Sequence, residues 1–116
     1  MGQAWAMVTF ESIAAWALAL PEAVEADHFG APSFRVAGKI FATVRRDPPR
    51  LMVKLGADDQ HNLCQGHPDL IQPVPGYWGR KGATFVDYAK IDDTLAEMLL
   101  RLAWIGVAPK RLRQSG

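Results

Sequence analysis

Residues 33–55 read SFRVAGKIFATVRRDPPRLMVKL, and this stretch leaves the chain little freedom in what it folds into. Apolar and polar side chains alternate on both sides of Ala37-Gly38 and resume after Asp47-Pro48-Pro49. A period of two is the signature of a strand with one buried and one wet face. Two residues ending in glycine make a reversal tight enough only for antiparallel neighbours. The expected result is an antiparallel sheet with an apolar face, and such a face needs a layer of helix upon it.

The two ends of the chain supply that layer. Phe10, Ile13, Ala17 and Leu20 recur at helical spacing, with Thr9 as N-cap and Pro21 as the stop. Asp92 and Asp93 stand where a second helix would start, and Leu95, Met98, Leu99, Leu102 and Ile105 form its apolar stripe. Gly106 and Pro109 end it and leave Lys110, Arg111 and Arg113 beyond. Between the ends, Ser33–Val36, Lys39–Arg46 and Leu51–Leu55 read as strands, followed by a short helix that Asp58 or Asp59 caps and that ends near Gly66. Leu70–Val74 and Thr84–Tyr88 read as two more strands. The expected class is α+β: a two-layer sandwich with N- and C-terminal helices on one face of an antiparallel sheet.

At 116 residues the chain suits one domain, expected over residues 7–112. Residues 1–6 are read as an extension ahead of a second plausible start at Met7, and residues 113–116 as a tail. The apolar opening MGQAWAMVTFESIAAWALAL lacks a basic start, is interrupted by Glu11 and is too short to span a bilayer. The lone Cys64 has no partner for an internal disulfide, so a reducing cytoplasm is expected.

Net charge is +1, yet the charge is uneven. Residues 1–30 hold four acids and no base, whereas residues 31–56 hold six bases against Asp47 alone. Strand alternation puts Phe34, Val36, Ile40, Ala42, Val44, Leu51, Val53 and Leu55 on the buried face. It puts Arg35, Phe41, Thr43, Arg45, Met52 and Lys54 on the wet one. Bases around an exposed ring suit nucleic acid, because bases stack on rings while cations meet phosphates. A solvated face whose charges discourage aggregation would look the same.

The segment GYWGRKG, residues 76–82, contains a G-x-x-G pattern that nucleotide-gripping KH loops also carry. Those loops need a helix on each side, and Pro73-Val74-Pro75-Gly76 cannot be helical. The segment reads instead as a long connection between strands, either a phosphate-contacting wing or a simple solvated turn, with Arg80 and Lys81 at its tip and Trp78 packed beneath it. His61, Cys64 and His67 resemble zinc ligands, but helical spacing turns the two histidines about 120° apart. No nucleophile–base constellation, Walker lysine or H-E-x-x-H motif is present, and Asp58-Asp59 and Asp92-Asp93 are explained by helix starts. No catalytic centre, metal or cofactor is expected.

Several blocks together resemble one family. Ala17–Pro21, HFGAPSFRVAGKIFATV, LMVKL, PGYWGRKG and VAPKRL look like the MmcQ/YjbR family, across residues 7–112. The resemblance implies a CyaY-like, frataxin-like fold and a DNA-binding role by a double-wing mode. The wings would be Ala37-Gly38-Lys39 and Gly79–Gly82. Ala83 stands where members often carry Trp, which removes an aromatic from that position. Frataxin-type iron binding is not implied, since the first helix holds only Glu11. The expected function is a non-enzymatic module that binds DNA through Arg35, Lys39, Phe41, Arg45, Lys54, Arg80 and Lys81, with Lys110 and Arg111 adding charge. The alternative is a protein-interaction module using the same face.

Overall fold

A computed structural model describes residues 8–115; the expected extension at residues 1–6 lies outside the described residues. The chain runs α1 (Phe10–Leu18), β1 (Val24–His28), β2 (Ala31–Val36), β3 (Lys39–Arg45), β4 (Arg50–Lys54), α2 (Ala57–Gly66), β5 (Ile71–Pro73), α3 (Tyr77–Arg80), β6 (Ala83–Val86), α4 (Asp93–Val107) and α5 (Lys110–Ser115). The six strands form one sheet in the order β1-β2-β3-β4-β6-β5, and every neighbouring pair is antiparallel. Helices α1 and α4 pack on each other and on β3, so both cover the same face. This is the α+β arrangement that alternation and terminal helices predicted.

Local chemistry accounts for most of the element ends. Thr9 and Ser12 form a reciprocal capping box on α1: each backbone N–H donates to the other's hydroxyl, at 3.0 and 2.8 Å. Asp92 caps α4 by accepting from the Leu95 N–H at 2.8 Å. Helix α2 differs from expectation. Its N-cap is Gly56, with no side-chain bond, and Asp58 and Asp59 lie inside the first turn, where the helix dipole favours them. On α4 the buried stripe is Ala96, Leu99, Leu100, Ala103 and Trp104, and the expected Met98 and Ile105 are exposed. The Trp104 indole donates to the Pro21 carbonyl at 3.0 Å, tying α4 to the end of α1. Past Pro109 the chain turns helical again as α5, which buries Leu112.

Strand β1 was not expected. Its sequence, VEADH, alternates over only two small apolar residues, Val24 and Ala26, and as an edge strand little of it is buried. Pairing with β2 holds it, through a two-residue turn at Phe29-Gly30 with φ of 53° and 84°. Ala37-Gly38 makes the matching turn, φ 52° and 80°, between β2 and β3.

The largest departure lies in β3. Register runs Ser33↔Thr43 and Phe34↔Ala42, then shifts by one residue to Arg35↔Ile40 and Val36↔Lys39. Phe41 is the extra residue of a β-bulge, so Phe41 and Ala42 both point into the core and both are 0% exposed. Ile40, expected inside, is turned outward opposite Arg35. Phe41 is therefore a core residue of the sheet–helix interface and is removed from the set of surface contacts.

Among the described residues, no helix is long and apolar enough to cross a membrane.

Candidate functional site

Directly paired residues in an antiparallel sheet share a face. The face away from α1 and α4 therefore follows from the registers. One row runs Ala26, Ser33, Thr43, Met52, Phe85 and Gln72 across all six strands. On one side of it lie Val24, Arg35 and Ile40, with Lys54 and Ala83 beyond; on the other lie Arg45 and Arg50, paired directly with each other. Arg35, Arg45, Arg50 and Lys54 thus share one face, and no carboxylate belongs to its strand positions. Among the described residues none of these four has an ion-pair partner. Cations placed directly opposite each other, as Arg45 and Arg50 are, repel. Arg50 relieves part of this by lying 4.4 Å above the Phe85 ring, while Arg35, away from that pair, donates from Nε to the Ser33 hydroxyl at 3.2 Å.

The same face carries a groove of about 430 Å³. Ile40 and Met52 form its floor, Phe29 and Trp78 stand at its walls, and Lys54 and His28 are its polar residues. The walls come from opposite ends of the strand order. Phe29 is at the tip of the β1–β2 turn, 90% exposed, with its ring edge-on to His28 at 4.7 Å. A non-glycine residue in this left-handed region is uncommon, and one with an aromatic side chain more so. Strain of that kind is retained where a site has a use for the side chain.

Trp78 reaches the groove because α3 is docked in one place. Gly79 packs so tightly on Val74 that a side chain at 79 would meet the Val74 carbonyl. Gln60 of α2 donates from its amide to the Gly79 carbonyl at 3.0 Å, to the Ala83 carbonyl at 3.2 Å and to the Thr84 hydroxyl at 3.0 Å. The segment expected to be a simple wing is thus a one-turn helix, buried at Gly79 and pinned on one side. Trp78 does not pack beneath it: the side chain is 63% exposed and meets Tyr77 edge-on at 5.1 Å. Arg80 and Lys81 are exposed on the same turn, and the Lys81 ammonium lies 5.6 Å from the Tyr77 ring.

The remaining expected residues scatter. Lys39 pairs with buried Val36, so it starts from the helix side of the sheet rim, because the bulge reverses the end of β3. Lys110 and Arg111 belong to α5, and Arg111 donates both terminal nitrogens to Glu22 at 3.1 Å. That engagement lowers the Glu22 pKa below its ordinary 4.5. Arg50, Phe29 and Trp78 were missed. Arg50 shares the parity of Met52 and Lys54, and a residue followed by glycine before a strand is itself a turn signal, so two of the three had a trace in the sequence.

The groups whose acidity is shifted stand outside the groove. Burial pushes up the Cys64 thiol on α2 and the Tyr88 phenol, which donates to the Arg45 carbonyl at 2.8 Å. Glu11 is lowered by its own backbone N–H and then by Arg46, its partner at 2.8 Å. Among the described residues no three His, Cys, Asp or Glu side chains gather as a metal site.

Comparison with known proteins agrees with this architecture. The sequence model of the YjbR family matches residues 18–105, a span that includes every groove residue. No curated protein matches the chain. Among solved structures, the crystal structure of Deinococcus radiodurans protein DR2400, with a domain described as DUF419, is similar with a TM-score of 0.76. The two are 23% identical, over 94% of this chain and 88% of that one.

Proposed function

The chain belongs to the YjbR family, and from that premise we propose that it is a non-enzymatic module that binds nucleic acid through the outer face of its sheet. The observation that carries the reading is the clustering of Arg35, Arg45, Arg50 and Lys54 on a face whose strand positions include no carboxylate. Setting Arg45 directly against Arg50 costs stability in the free protein, and an anion lying across both would remove that cost. Phosphate oxygens are the anion that such a spread of cations meets along a polymer. Arg80 and Lys81 extend the surface at one side.

A second reading has its own support. The groove is mainly apolar, and an apolar anchor from a protein partner would suit Ile40 and Met52. Salt separates the two. Titration of random-sequence duplex and single-stranded DNA at two salt concentrations should show affinity falling with a log-log slope of about −0.9 per phosphate on duplex and about −0.7 on a single strand. Arg45→Ala with Arg50→Ala should flatten that slope by about two contacts. Absence of binding to either form at low salt overturns the nucleic-acid reading and leaves the partner-binding one.

A further inference from the structure

We propose that the groove between Phe29 and Trp78 receives an unpaired base of a single-stranded nucleic acid. This rests on the nucleic-acid reading above and specifies the form recognised.

A duplex keeps its base faces inside the stack and offers phosphates and groove edges to a protein, so cations on an open face are enough to hold it. The groove adds what a duplex has no use for. Two aromatic side chains stand largely exposed at its walls, and its floor is the apolar pair Ile40 and Met52. Exposed rings beside a basic surface are the arrangement on which splayed bases stack.

Charge selects the occupant. The groove residues include no carboxylate, and Lys54 is among them. Arg35 sits across the strand pair from Ile40, and Arg80 and Lys81 follow Trp78 along the chain. A strand whose base enters the groove has its phosphates directed toward these cations, whereas a purely apolar peptide would leave them without partners.

Phe29 itself points the same way. It occupies the first position of a turn that Asn or Gly would fill without strain, and its ring is left in solvent. An exposed aromatic at this turn contributes nothing to the core, and its ring is available to a partner.

The test is fluorescence anisotropy of the full chain with an end-labelled random-sequence single strand, its duplex form, an abasic strand of equal length, and the same sequence as RNA. The natural single strand, as DNA or as RNA, should bind at least tenfold more tightly than the duplex and the abasic strand. Trp78→Ala and Phe29→Asn should each collapse the ratio of single-strand to duplex affinity toward one. Thermal melts verify that both variants fold, as expected for exposed side chains. Equal affinity for the natural and abasic strands, or a ratio unchanged in both variants, overturns the inference while duplex binding keeps the broader reading. No binding to any probe at low salt overturns both.

Discussion

Gly79 lies directly against the carbonyl of Val74, with no room for a side chain between them. That contact seats the one-turn helix α3 on the end of β5 and aims Trp78 at the groove.

Gly79→Ala must therefore displace either α3 or the Val74 backbone, since neither obstacle is a flexible side-chain end. The expected loss of stability is about 1–3 kcal/mol, the usual range for forcing extra atoms into packed surroundings. Thermal melting measures the loss. Because Trp78 moves with the helix, its fluorescence should report a changed environment below the melting transition as well.

The bulge makes a second prediction, opposite to simple alternation. Phe41→Ala empties a fully buried aromatic site and should cost about 3–5 kcal/mol. Ile40→Ala removes a half-exposed side chain from the groove floor and should cost roughly 1–2 kcal/mol. Chemical denaturation of the two variants decides between the registers. Equal losses would contradict the bulge.

Phe29→Asn should raise stability. The turn at Phe29-Gly30 has positive φ at both positions, and Asn-Gly is the pair best suited to it. Relief of left-handed strain is worth about 1 kcal/mol, and no buried area is lost because Phe29 is 90% exposed. The variant should melt higher, with the two-residue turn retained.

The Glu22–Arg111 pair predicts an acid dependence. Arg111 holds the Glu22 carboxyl below its ordinary pKa of 4.5 by hydrogen bonds and then by charge. A carboxylate lowered in the folded state stabilises the fold above its unfolded pKa and loses that contribution as pH falls through the folded value. The difference in melting temperature between wild type and Glu22→Gln should thus be constant near neutral pH. It should close as pH falls below the ordinary carboxylate value of 4.5. A difference that widens on acidification would contradict the pairing.

What could be read before folding was whatever depends on near neighbours along the chain. The Ala37-Gly38 turn, the alternation from Leu51 to Leu55, the Thr9 cap and the Asp92 cap each lie within a few residues of the structure they specify. Together they determined an antiparallel sheet with helices at both ends of the chain. Arg35, Arg45 and Lys54 were placed on the wet face correctly, because their strands keep a period of two at those positions.

The failures share a different cause. VEADH carries only a faint alternation of Val24 and Ala26 with two acids, and it is pairing with the edge of β2 that makes it strand β1. Phe41 turns inward because one extra residue is accommodated against β2, and a pairing shift of that kind reverses every side chain between it and the turn. Trp78 reaches the groove because Gly79 meets Val74 and because Gln60, far upstream, binds the carbonyls and hydroxyl beside it. The amino-acid sequence by itself determined the central strands, the two long terminal helices and which face carries arginine. Tertiary structure decided which aromatic side chains share that face, since their direction depends on strand register and helix docking across separations of 19 to 24 residues.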